Sequence, residues 1–316
     1  MVSELSRPNW PSSDPPQRPV LFVNPRSGGG KAARTEVAEQ ARERGIETVI
    51  FAPGQSLEAL AGEAVANGAD ALGVAGGDGS QAVVAAAAVT HRLPFVCVPA
   101  GTRNHFALDL GVDPHDVLGA LDAFTGGIER LIDVADVNGR LFLNNVSLGI
   151  YGDAVRSPAY RDAKMRTLLE TAKKVLGPRA EVPALRLVDD LGREHQHLAL
   201  VLVSNNPYTL DRPLTPGARP ALDSGRLGII VLDAPGPAPH PSGAAPGRAW
   251  SAPRLDVSAL PPVHAGLDGE AIDLSPPLQF TIRPRALRVR IFPRQQGMPP
   301  AAPLSPARRT RPLPDG

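Results

Sequence analysis

Three short polar segments hold the residues best suited to handling a phosphorylated ligand. The first, Asn24-Pro25-Arg26-Ser27-Gly28-Gly29-Gly30-Lys31, follows the apolar run Val20 to Val23 and precedes a helical stretch. Successive glycines at a helix start let backbone N–H groups approach an anion, and the helix dipole favours negative charge there. The segment is not a Walker A loop, because no glycine lies five positions before Gly30 and Ala32 stands where Ser or Thr is required. The second, Gly76-Gly77-Asp78-Gly79-Ser80, sets a carboxylate between glycines, where it can meet Mg2+ or a reacting hydroxyl while the backbone contacts phosphate oxygens. The third, Pro99-Ala100-Gly101-Thr102-Arg103-Asn104-His105-Phe106, offers Thr102, Asn104 and main-chain amides for hydrogen bonds to a nucleotide.

The elements that must position these segments alternate. Val20 to Val23, Glu47 to Phe51, Ala71 to Ala75 and Phe95 to Val98 read as strands, with helices predicted over Ala32 to Arg44, Leu57 to Asn67 and Ser80 to His91. Strict alternation predicts an α/β fold with a parallel, doubly wound, Rossmann-like sheet, which binds ligands at the carboxyl ends of its strands. All three segments follow such strands, so they converge on one cleft. After Asp133 the pattern becomes successive β-like runs: Leu141 to Leu148, Ala184 to Val188, Leu198 to Val203, Leu227 to Leu232, Arg254 to Val257 and Leu287 to Phe292. These predict a second, β-rich domain of sandwich type, interrupted by one helix near Ala159 to Leu176 and a Pro/Gly-rich loop over Ala234 to Arg248. The expected division is a nucleotide-binding domain over 19–133, rejoined by 284–293, and a substrate domain over 134–283. Residues 1–18 and 294–316, rich in Pro, Ser and Ala, read as disordered tails.

Composition narrows the partners. With 33 Lys and Arg against 32 Asp and Glu, the net charge of +1 provides no chain-wide field for nucleic acid. The single cysteine, Cys97, sits in an apolar run and reads as a buried structural thiol, which fits a reducing, cytoplasmic compartment. No segment reaches the roughly twenty apolar residues of a membrane span, so a lipid partner would be met at the membrane surface from solution. The stretch 156–179 holds seven basic residues against Asp162 and Glu170, with Leu168, Leu169, Ala172, Val175 and Leu176 at helical spacing. It reads as a surface helix packed on the β-rich domain, or alternatively as a cationic face for an anionic leaflet. His195 and His197, with no third ligand nearby, read as surface residues.

In order and spacing, Asn24-Pro25-x-Ser27-Gly28, Gly76-Gly77-Asp78-Gly79-Ser80, Pro99-x-Gly101-Thr102-x-Asn104 and Asp268-Gly269-Glu270 resemble the segments of the diacylglycerol kinase catalytic family. Sphingosine kinases and, more distantly, NAD kinases are its relatives. The resemblance spans about residues 19 to 293. It implies two domains, ATP and Mg2+ as cofactors, and a lipid substrate beside the β-rich domain. It implies that Ser27, Gly28, Lys31 and Arg34 face the phosphates, that Gly76, Gly77, Gly79 and Ser80 line the nucleotide with Gly101, Thr102 and Asn104, and that Glu270 is catalytic. Glu270 is the first candidate to accept the lipid hydroxyl's proton and Asp78 the second, while Asp78 with Asp268 or Asp133 organises Mg2+. The chain departs from the family at three places. Gln81-Ala82-Val83 replaces the usual Asn-Glu pair, His105 stands in place of an aspartate, and the Asp-Asp-Gly beside a structural metal reads Asp223-Ser224-Gly225. Two alternatives stay open: an NAD kinase-like enzyme, and a catalytically weakened nucleotide- or lipid-binding protein.

Overall fold

The computed structural model describes residues 13–149, 185–208, 219–233, 247–260 and 262–292. The first part runs β1 (Pro19–Val23), α1 (Ser27–Arg34), α2 (Val37–Glu43), β2 (Glu47–Ile50), α3 (Leu57–Ala66), β3 (Ala71–Gly76), α4 (Asp78–His91), β4 (Pro94–Pro99) and α5 (His105–Leu110). The strands lie in the order β2-β1-β3-β4, all parallel. Every residue of β1, β3 and β4 is buried, as expected of strands covered by helices on both faces. The order reverses between β1 and β3, so the turns after these strands lie at the ligand-binding edge of such a sheet. The helix predicted over Ala32 to Arg44 divides in two, because Glu36 adopts a left-handed backbone with φ 52°.

After a 3-10 turn and the one-turn α6 (Ala123–Gly126) come β5 (Ile128–Val137), β6 (Arg140–Phe142), β7 (Asn145–Gly149), β8 (Arg186–Val188), β9 (Glu194–His195) and β10 (Leu198–Asn205). The chain continues through β11 (Leu227–Asp233), β12 (Gly247–Ala252), β13 (Arg254–Ser258), β14 (Val263–Leu267), β15 (Glu270–Leu274) and β16 (Leu278–Ile291). A second, antiparallel sheet has the order β12-β11-β10-β7-β14-β15. It shares a core with the opposing strands: Val146, Val201 and Ile229 lie in one apolar cluster with Leu255, Val257, Leu278 and Phe280.

The final strand, β16, belongs to both cores. Leu278 to Thr281 pair with β13, whereas Arg288 to Arg290 run parallel to β4 and extend the first sheet. Leu287, Val289 and Ile291 join the core around β1, β3 and β4. Beside it β5 pairs along nearly the whole length, with an irregularity between Arg283 and Leu287 where Arg285 has φ 53°.

Several elements differ from the sequence reading. Leu141 to Leu148 is not one strand but β6 and β7, broken at Leu143 and Asn144. The strand expected over Leu287 to Phe292 begins at Leu278, its first half hidden by Arg283, Pro284 and Arg285. Of the two histidines read as surface residues, His197 is exposed, whereas His195 is half-buried: its ring stacks on Trp250 at 5.1 Å, with Nε2 3.3 Å from the Asp189 carboxylate. Both tails beyond residue 12 and residue 292, the helix near Ala159 to Leu176, and most of the loop predicted over Ala234 to Arg248 lie outside the described residues. Among the described residues, no helix is long and apolar enough to cross a membrane.

Candidate active site

The three glycine turns touch one another. Gly28, Gly29 and Gly30 run at φ 57°, 63° and 88°, a left-handed stretch that residues with a Cβ avoid. A Cβ on Gly28 would lie 2.6 Å from the carbonyl oxygen of Ala100, and one on Gly101 would lie 2.4 Å from the Cα of Gly77. Main chain therefore packs on main chain, which leaves a floor of peptide groups at the carboxyl ends of β1, β3 and β4.

A fourth segment completes the cluster. Asp268 and Gly269, at φ 49° and 89°, form the two-residue loop between β14 and β15, with Leu267 opposite Glu270. Positive φ at both positions is the type I′ turn for which Asp-Gly is suited. This hairpin delivers Glu270 onto the start of α4: a Cβ on Gly79 would stand 2.1 Å from the Oε1 of Glu270. Glu270 is exposed, its side chain makes no hydrogen bond among the described residues, and it lies against Gly79, the residue after Asp78.

Asp78 is half-buried and oriented by the neighbouring turn. Its Oδ2 accepts the His105 N–H at 3.2 Å and its Oδ1 that of Phe106 at 3.1 Å, so it caps α5. Asp268 is buried, and its carboxylate accepts the amides of Leu143 (2.8 Å), Asn144 (2.7 Å) and Asn145 (3.1 Å). Those three bonds explain why β6 and β7 are separate strands: the amides between them turn inward to the Asp268 carboxyl. Burial pushes the Asp268 carboxyl up to about 7, and the nearby Asp78 charge adds to the rise against the lowering effect of the three amides.

The remaining predicted residues take varied positions. Asn24 closes its own turn, accepting from Arg26 N–H at 3.1 Å, and Ser27 N–H donates to Asn24 O. Ser80 packs on Gly76, whose Cβ would lie 2.8 Å from that of Ser80, and Thr102 is exposed. Lys31, expected to face phosphate, points its ammonium at main chain and donates to the carbonyls of Pro99 (3.1 Å) and Pro114. Asn104, expected to contact nucleotide, is buried and staples its own turn: Oδ1 accepts from Gly101 N–H at 2.8 Å and Nδ2 donates to Gly101 O at 2.9 Å. Arg34 ends α1, with its side chain outside the description.

Asp133 also differs from expectation. It is fully buried, and its carboxylate accepts the N–H of Gly225 (2.7 Å) and of Arg285 (2.8 Å), tying the 222–225 turn to the irregularity in β16. It is the Asp268 carboxyl that the nearby Asp78 charge helps to raise. Among the described residues no three His, Cys, Asp or Glu side chains gather as a metal group. Two cavities lie away from these turns, one of about 410 Å³ lined by Pro94, Glu129, Arg288 and Arg290 at the amino end of β4, the other of about 520 Å³ beside His195 and Trp250.

A buried polar group with little mark in the sequence lies behind the site. Arg219 is buried, pairs with Asp109 of α5 at 2.5 Å and donates to Asn144 Oδ1 at 2.9 Å and Asn205 O at 2.7 Å. Tyr208 accepts a hydrogen bond from Asn145 Nδ2 at 3.0 Å, and burial pushes its hydroxyl up to about 12. The only available signal was Ser204-Asn205-Asn206, an uncommon polar end to the apolar run of β10.

Known proteins resemble this chain in sequence and in fold. The model of the diacylglycerol kinase catalytic domain matches residues 18–137. A probable lipid kinase, YegS-like, from Pseudomonas aeruginosa is 30% identical over 300 residues, covering 86% of this chain and 93% of that protein. A diacylglycerol kinase of Staphylococcus aureus is 31% identical over 229 residues, covering 69% of this chain and 71% of its own. The fold is similar to the crystal structure of a putative diacylglycerol kinase from Bacillus anthracis, with a TM-score of 0.67, 21% identity, and coverage of 88% of this chain and 97% of that one. With four ordered segments converging in space and a relative matched over nearly its full length, this chain belongs to the diacylglycerol kinase catalytic-domain family.

Proposed function

We propose that this protein is an ATP-dependent lipid kinase that transfers the γ-phosphate of MgATP to the hydroxyl of diacylglycerol or a similar lipid, visiting the membrane surface from the cytoplasm. The observation that carries the reading is the placement of Glu270 against Gly79, beside Asp78, although the two segments are far apart in sequence. On this reading residues 19–133, rejoined by 284–293, bind nucleotide, residues 134–283 take the lipid, and the site is the cleft between them.

The residues present fit a triphosphate. The left-handed Gly28–Gly30 stretch and the peptide floor made by Gly77 and Gly101 give phosphate oxygens close access to main-chain groups. Ser27, Gly76, Gly79, Ser80 and Thr102 border that floor, and Arg34 is the candidate cation. Asp78 is the residue to hold Mg2+, with Asp268 in the layer behind it, since Mg2+ bound to a nucleotide needs only one or two carboxylates. Bound there, Mg2+ supplies neutralisation of the phosphate charge. The chain's own residues do the rest: the amides of α5 fix Asp78, the hairpin fixes Glu270, and Glu270 accepts the proton of the lipid hydroxyl.

Radiolabelled ATP offered with dioctanoylglycerol micelles, sphingosine micelles or free NAD tests the assignment. Label in lipid supports it. Label in NAD alone indicates the NAD kinase-like alternative, and MgATP binding without transfer to any acceptor indicates a binding protein. Asp78→Ala and Glu270→Gln are each expected to lower turnover by about 100-fold or more; unchanged rates in both remove the mechanism.

A further inference from the structure

We infer that Arg219 is a positioning residue for the transfer proposed above, and the inference rests on that reading of the site. Its side chain is fully buried and that of Asp109 is 7% exposed. A guanidinium carries five N–H donors in a rigid fork, and here the fork reaches two sides of the site at once. On one side, Nε donates to Asp109 Oδ2 at 2.7 Å. On the other, Nη1 donates to Leu143 O and to Asn205 O at 2.7 Å, and Nη2 donates to Asn144 Oδ1 at 2.9 Å.

Asp109 belongs to α5, whose first amides hold Asp78. Leu143 and Asn144 belong to the turn whose amides hold Asp268, two residues before Glu270. One guanidinium thus sets the distance between the proton-accepting hairpin and the Asp78 turn. The ring of Tyr208 lies 5.9 Å from the guanidinium carbon, and its hydroxyl is bonded to Asn145 of the same turn. A buried ion pair adds little stability over a well-packed apolar pair, whereas its geometry is demanding. The fork is therefore better accounted for by placement than by stability. Lysine, a point charge on a flexible stem, cannot span both sides.

The test uses the full chain with Arg219→Lys, Asp109→Asn and the milder Asn144→Ala, with Arg288→Lys as a control that alters an ion pair with Glu129 away from the turns. Turnover of radiolabelled ATP with dioctanoylglycerol, the KM for ATP, the Tm and amide hydrogen exchange are measured for each. Arg219→Lys is expected to lower kcat by about 100-fold, the effect of a misplacement near 1 Å, with the KM for ATP within about threefold. It is also expected to speed exchange at Leu143 to Asn145, whereas Arg288→Lys changes neither kcat nor that exchange. Should Arg219→Lys fail to fold, Asn144→Ala, which removes one acceptor, is read in the same way. A kcat within threefold of wild type in the folded variants overturns the inference, as does unchanged exchange at those amides. If the wild-type protein phosphorylates no lipid, the kinase reading fails by itself, and the exchange arm still decides whether Arg219 holds the Asp268 turn.

Discussion

Replacing Gly79 with alanine is expected to cut catalysis while sparing the fold. The new Cβ would stand 2.1 Å from Oε1 and 2.7 Å from Cδ of Glu270. The carboxylate must retreat by roughly 1.3 Å, the gap between 2.1 Å and the 3.4 Å at which ordinary contact begins. A displacement near 1 Å of a reacting group lowers rate by about 100-fold. Stability moves the other way, because the clash is with the far end of a flexible side chain and Gly79 lies in the first turn of α4 with ordinary helical backbone. Alanine in a helix is favoured over glycine by about 1 kcal/mol, or about 3 °C in a chain of this size. The assay pairs kcat for phosphorylation of dioctanoylglycerol in mixed micelles with Tm from scanning fluorimetry. The expected result is a kcat about 100-fold lower, a KM for ATP within a few-fold of wild type, and a Tm equal or slightly raised. A variant that folds and keeps kcat within threefold would show that the position of Glu270 does not govern the reaction.

Three further outcomes follow from the same geometry. Gly101→Ala places its Cβ 2.4 Å from the Cα of Gly77, where no side chain can yield, so it is expected to lose both turnover and about 2 kcal/mol of stability by urea denaturation. Asp133→Ala leaves the buried amides of Gly225 and Arg285 without an acceptor and is expected to cost about 3 kcal/mol, while MgATP affinity by titration calorimetry stays within threefold; a lost affinity with an intact fold would return Asp133 to the metal site. The Asp268 carboxyl, raised to about 7 by burial, is neutral in both folded and unfolded chains below about pH 4. Between there and pH 7 the unfolded chain releases a proton that the folded chain keeps, so stability falls as pH rises, and above pH 7 the loss is complete. Asp268→Asn is expected to flatten that decline in the urea midpoint, and an equally steep decline in the variant contradicts the assignment.

The parallel sheet was legible because it follows from local rules: β1, β3 and β4 are short apolar runs and α3 and α4 carry helix-forming residues between them. The glycine turns were legible because glycine at left-handed φ leaves a mark in composition. What escaped was set by distant partners. The break between β6 and β7 is imposed by Asp268, more than a hundred residues later, so no feature of Leu141 to Leu148 signals it. The first half of β16 is held by β5 and β13 in spite of Pro284 and two arginines, and pairing with remote strands overrides its poor local pattern. Asn104 and Lys31 carry the right chemistry for a nucleotide, yet their nearest acceptors are carbonyls of their own neighbourhood, and only packing decides between the two. Arg219 and Asp109 look like ordinary surface charges in the sequence because burial of an ion pair is a property of the assembled chain.

The dual membership of β16 bears on how the protein is made. During synthesis β1, β2, β3 and β4 leave the ribosome well before β16, the last of the described strands, which covers the open side of β4. At ordinary elongation rates of about 5–20 residues per second, the nascent sheet waits about ten to forty seconds with that edge bare. An uncovered edge is a template for pairing with other chains. This topology therefore keeps one edge of the first sheet unpaired until late in translation, and a ribosome stalled shortly before Leu287 would present the cell with an incomplete sheet.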